Sequence, residues 1–147
     1  MQTSPMVAPV VALVAWSLIM LLWMIKTRFG ALKAMKVDLG RVIGGRGSDL
    51  DGKVPDAIQW KAHNYNHLME QPTLFYAAAL ALALIDRDIG IGPVPVVLAW
   101  GYVLLRIAHS LVQATSNVVR NRFLLFAAAS ACLVGMTICA GYRLIAG

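Results

Sequence analysis

A chain of 147 residues that is 59% hydrophobic and only 14% charged, with its apolar residues gathered in long blocks, falls outside the composition of soluble globular domains. The formal charge of +6 sits mostly in one polar segment without interleaved aromatic residues, which argues against a nucleic-acid partner. A single integral membrane domain spanning residues 1–147 is the class that remains.

From Pro5 to Ile25 the sequence carries no charge, and at about 1.5 Å per residue this stretch reaches roughly 30 Å, the thickness of a hydrocarbon core. A first spanning helix is predicted over about 5–26. The opening "MQTSPMVAPV" lacks the basic stretch of a cleaved signal sequence, so the segment is expected to stay as a membrane span. Residues 27–62 read as a polar, glycine-rich loop, and the stretch from Lys26 to His63 holds eight of the thirteen Lys and Arg. The N-terminus holds none, and the later turn "DRDIGIG" is net acidic. This bias places the loop on the cytoplasmic side and both termini on the other, and the loop's cations suit anionic lipid headgroups.

Two motifs in the loop are decoys. "GSDLDGKV", Gly47 to Val54, has phosphate-loop spacing, but Val54 stands where a magnesium-binding Ser or Thr is needed and no buried strand precedes it. "DLDG" lacks the remaining ligands and the closing Glu of a calcium loop. Both read as solvated turns.

Further helices are predicted over about 64–86, 93–116 and 122–144, giving an all-α four-helix membrane bundle in the lipid bilayer. Cys132 and Cys139, seven apart on the last helix, share a face but are separated by about 10 Å, too far for a disulfide. They read as small core residues.

The second helix has only a short apolar run between Gln71 and Ile85, about 22 Å at 1.5 Å per residue, so its span must begin upstream and draws Glu70 toward the membrane interface. His63, Asn66, His67, Glu70 and Leu74 follow helical spacing and form one stripe. Pro72 inside this run is expected to kink the helix. The third helix adds Arg106, His109 and Gln113 on one face, and Arg120 and Arg122 stand at the base of the fourth, after a turn in which Asn117 is a candidate cap. A buried Arg is costly in a bilayer, so Arg106 needs a partner or a wet cavity, and Glu70 is the expected partner. Up-and-down topology brings Glu70, His67, Arg106, His109, Gln113 and Arg122 to similar depth near the cytoplasmic face. A structural alternative is a Glu70–Arg106 ion pair that locks the bundle. Several arginines with one carboxylate suit a zwitterionic ligand with more than one carboxylate. His63 and His67 have zinc-like spacing, but the neighbouring cations disfavour a metal. No Ser-His-Asp or Cys-His arrangement lies at plausible depth.

These residues resemble the MAPEG family, membrane-associated proteins of eicosanoid and glutathione metabolism, over about Trp60 to Met136. "NHLMEQPTLF" is similar to the family's run of Asn, Glu, Pro and Phe, with Glu70 and Phe75 keeping their relative spacing. "RIAHSLVQATSNVVRNRFLLF" parallels an Arg, a His three later, a Tyr seven later and an Arg sixteen later, so Arg106, His109 and Arg122 fall on family positions. Here His67 replaces the family's Asn, His63 its Arg and Gln113 its Tyr, and the proline sits one place earlier.

The resemblance implies a homotrimer binding glutathione as co-substrate between subunits, with an apolar second substrate arriving through the bilayer. It assigns Glu70, His67, His63, Gln71, Arg106, His109 and Gln113 to binding, with Lys61 as a further loop cation for the carboxylates, and Arg122 to thiol activation, with no metal. The expected activity is a glutathione-dependent transferase or peroxidase acting on lipophilic electrophiles. The alternative is a non-catalytic structural or interaction protein that keeps the fold. Similar "EQPxLFYA" runs in bacterial-type members imply a bacterial inner membrane.

Overall fold

The computed structural model describes residues 3–146. Among them the chain folds into α1 (Val7–Ala34), a short 3-10 turn (Gly47–Leu50), α2 (Asp56–Glu70), α3 (Pro72–Ile89), α4 (Pro93–Thr115) and α5 (Val119–Ala146). Because α2 and α3 form one run, Asp56–Ile89, four units are long and apolar enough to cross a membrane. The chain is thus a multi-pass, all-helical membrane protein, as its apolar blocks require.

The helices run past the bounds predicted for the spans where hydropathy and helix propensity part company. The apolar run ends at Lys26, yet α1 continues to Ala34 because "TRFGALKA" contains no proline and several good helix formers. Its 28 residues reach about 42 Å, so its last turns project beyond a core of roughly 30 Å. The helix closes with Lys36 in the left-handed region (φ 53°). The Lys36 N–H bonds the Lys33 carbonyl at 3.1 Å and the Val37 N–H the Leu32 carbonyl at 3.1 Å, the paired bonds of a Schellman end.

At the other side of the loop, α2 starts at Asp56 rather than near 64. Pro55 caps its entry and Asp56 sets a carboxylate against the positive end of the helix dipole. The loop between them is tied to both helices. Arg28 donates to the Gly47 carbonyl at 2.7 Å, buried Gln59 donates to Asp51, and His63 lies 3.4 Å from the same Asp51 carboxylate.

Pro72 interrupts the second span as its chemistry demands. Lacking an N–H, it ends α2 at Glu70 and opens α3 as the first helical residue. Beyond this break, Phe75 lies flat on Tyr102 of α4, with ring centroids 4.5 Å apart and an interplanar angle of 5°. Leu13, Ala79, Leu82, Val103, Leu133 and Met136 complete a core centred on α4. Gly135 lets α5 approach α4: a Cβ there would stand 3.0 Å from a Leu98 methyl. The outer faces of all four spans are apolar and open, as lipid contact requires.

The turn between α3 and α4 uses Gly90 and Gly92, both at φ 71°. Asp86 fixes it by accepting from Ser4 Oγ at 2.7 Å and from the Ile91 N–H at 3.2 Å, while Arg143 donates to the Ile91 carbonyl at 3.4 Å. This end of the bundle gathers residue 4, the α3–α4 turn and the end of α5. The opposite end gathers the long loop and the α4–α5 turn.

Candidate functional site

The break at Pro72 leaves the last carbonyls of α2 without intrahelical partners. Arg106 of α4 meets one of them, donating through Nη2 to the His67 carbonyl at 2.9 Å, a cation placed at the negative end of a helix dipole. The same nitrogen lies 3.5 Å from His67 Nδ1. A guanidinium has donors only, so this contact requires Nδ1 to be the unprotonated nitrogen of the His67 ring.

The Arg106 side chain is wholly buried, and its Nε and Nη1 have no partner. Among the described residues no carboxylate lies within ion-pair distance of it. Its guanidinium carbon stands 5.9 Å from the centre of the Phe126 ring, a cation–π contact that neutralises nothing.

Around this cation, α2, α4 and the start of α5 converge. The His67 and His109 rings lie 4.9 Å apart, and the Phe126 ring is 5.5 Å from His67 and 6.4 Å from His109. With Val119, Arg122 and Phe123 these residues line an open cleft of about 220 Å³. Arg122 reaches it from the first turn of α5, held by donation from Nη1 to Asn117 Oδ1 at 2.6 Å, while its Nε is buried without a partner. Asn117 itself adopts φ 53° and closes the α4–α5 turn, accepting from a side chain rather than capping α5 through a backbone N–H. Arg122, two imidazoles and two phenyl rings line a cleft suited to an anion that carries an apolar part, and Arg106, with its spare donors, is buried behind His67 just outside that lining.

Of the residues singled out from the sequence, His67, Arg106, His109 and Arg122 come together. The expected Glu70–Arg106 ion pair does not form. Glu70 is exposed on the outer side of α2, within electrostatic reach of His67 and Arg106 but not bonded to either. His63 is drawn into the loop by Asp51, away from the cleft. Lys61 is half-buried beside Trp23, 5.4 Å from its ring centre, and is likewise outside the cleft lining. Gln71 lies beyond the helix break, donating to Ser130 Oγ at 2.7 Å and accepting from Tyr102 OH at 3.4 Å. Gln113 is buried on α4 with its carbonyl oxygen unpartnered, and does not line the cleft. Arg120 is exposed.

The residues missing from the sequence reading are Phe123 and Phe126, and the buried Asn64–Ser110 bond at 2.6 Å that clamps α2 to α4. Arg122 and Phe126 are four apart, so they share a face; that spacing was the available signal.

Comparison with known proteins gives one match. The family model described as "MAPEG family" matches residues 6–142, beyond the stretch whose motifs carried the resemblance and over nearly the whole chain. No curated protein and no solved structure matches the chain.

Proposed function

The chain belongs to the MAPEG family, and on that premise we propose that it is a glutathione-dependent membrane transferase or peroxidase whose thiol site is the Arg106–Arg122 cleft. One observation carries the reading: a fully buried guanidinium with two unpartnered donors and no carboxylate beside it. A buried charge left uncompensated is strongly destabilising, so an anionic ligand is the economical partner for Arg106. A carboxylate of glutathione supplies one, and the outward Glu70 is available for its ammonium group. Glu70 is exposed on a membrane-crossing helix, which supports assembly as a homotrimer in which a neighbouring subunit completes the site.

Arg122 is the residue that activates the thiol. An ordinary thiol titrates near 8.5, and a cation close by shifts it toward thiolate at neutral pH. With a chlorinated aromatic, the thiolate forms the C–S bond, chloride leaves with the C–Cl electron pair, and the thiol proton passes to solvent. Phe123, Phe126 and Val119 offer the apolar wall that a lipophilic electrophile needs. A protein nucleophile has no part in this step.

A second reading has its own support: Arg106 already ties α4 to the broken end of α2, so the cluster also serves as a bundle lock. Turnover separates the two. Detergent-purified protein is expected to conjugate glutathione to a chlorinated aromatic, and Arg122→Ala to lose most of the rate while the oligomer is unchanged. Absence of saturable turnover in the intact protein, with Glu70→Gln weakening the assembly, would favour the lock.

A further inference from the structure

Along α1 an outward stripe of Val11, Val14, Leu18, Leu22, Ile25 and Phe29 recurs every three or four residues, each 38–66% exposed. This face suits acyl chains. Continuing along the helix past Phe29, the next side chains at that spacing are cationic, Lys33 and Lys36, both exposed. A 28-residue helix of about 42 Å matches the full thickness of a bilayer with its headgroups, which puts these lysines at phosphate depth.

Here the Schellman end turns the chain out of the helix axis into an irregular segment, residues 37–46. That segment exposes Leu39, Val42 and Ile43 at 50%, 53% and 98%. Such tips are unfavourable in water. They are flanked by Lys33, Lys36, Arg41 and Arg46, all exposed, against two carboxylates: Asp38, which Arg41 holds at 3.1 Å, and Asp49, which accepts from the Arg46 N–H at 2.6 Å. Apolar tips ringed by cations, continuous with a lipid-facing helix stripe, match the chemistry of an anionic headgroup layer over acyl chains.

We propose that segment 37–46 docks onto the anionic lipid of the protein's own membrane, with Leu39, Val42 and Ile43 below the phosphates and Lys33, Lys36, Arg41 and Arg46 paired to them. The other flank of the loop is fixed to the protein by Arg28, Gln59 and His63. The loop therefore bridges bundle and bilayer surface, and its position responds to the membrane's content of anionic lipid.

The test uses the full chain in vesicles of phosphatidylcholine, with or without phosphatidylglycerol. With Cys132 and Cys139 replaced by Ser, a nitroxide is placed at Ile43→Cys and, as a control, at Asp49→Cys. In phosphatidylglycerol vesicles the label at 43 should become more accessible to oxygen and less to a water-soluble nickel chelate than the label at 49. Lys33→Gln and Lys36→Gln should each shift the docked-to-undocked ratio by about five-fold toward water. The unmodified protein gives a second readout, since trypsin should cut after Arg41 and Arg46 more slowly in phosphatidylglycerol vesicles. Nickel access at 43 equal to that at 49, or shielding and cleavage identical in both lipids, would overturn the proposal.

Discussion

At the α3–α4 end of the bundle Asp86 takes two donors, from Ser4 and from the Ile91 backbone, and Arg143 answers the Ile91 carbonyl. At the opposite end Arg106 is buried with one firm bond and two idle donors, and Arg122 keeps a buried Nε to spare. Both regions place charged side chains at the margin of an apolar bundle. One closes its hydrogen-bond accounts locally and so fixes a turn; the other keeps a surplus of donors beside an open cleft. Buried polar groups are nearly always satisfied, so a surplus that survives folding points to a partner outside the subunit's own side chains.

This contrast is open to direct attack, and the largest effect should be on chemistry. Arg122→Ala removes the cation assigned to the thiolate, and conjugation should fall by about a hundredfold or more, the scale of losing one charge-stabilising donor. Next is Arg106→Met, which exchanges the lone buried cation for an apolar side chain of similar length. Losing its charged hydrogen bonds should weaken glutathione binding by about 2–3 kcal/mol in calorimetry.

Asp86→Ala should do the reverse, costing about 1–2 kcal/mol of stability in denaturant unfolding through its unsatisfied partners, with glutathione affinity untouched. The smallest effect is expected at Asn117→Ala. An alanine at φ 53° costs about 1 kcal/mol, and the freed Arg122 should lose part, not all, of its activity in the conjugation assay. If Asp86→Ala impaired binding as much as Arg106→Met, the two ends would not differ in kind.

Much of the fold was legible because it depends on blocks. Predominantly apolar blocks mark out four spans, the second only with help from its polar upstream turns, and Pro72 breaks that second span for a reason visible in its missing N–H. Helix ends were less legible: Lys26 marks where the uncharged run of α1 ends, not where the helix does.

In the site, Arg106, His109 and Arg122 could be matched in depth from topology alone. Azimuth could not. His67 and Glu70 are three residues apart, about 60° around the helix from exact alignment, enough to leave His67 at the cleft and turn Glu70 outward. The helix is also interrupted between Glu70 and Pro72, so a stripe drawn straight from His63 to Leu74 crosses a break. Phe126 escaped notice because an aromatic residue on an apolar helix gives the same signal whether it faces core, lipid or cleft.

The most direct test of the central claim, that Arg106 is held as a lone cation for an anionic ligand, is the melting temperature of the wild type and Arg106→Met with and without glutathione. Ligand binding to the native state raises the melting point. Glutathione should raise the melting temperature of the wild type and raise that of the variant far less, and the ligand-free variant should melt no lower than the wild type, because an uncompensated buried charge has been removed. A ligand-free variant that melts well below the wild type, with no glutathione shift in either protein, would contradict it and leave Arg106 as a structural lock.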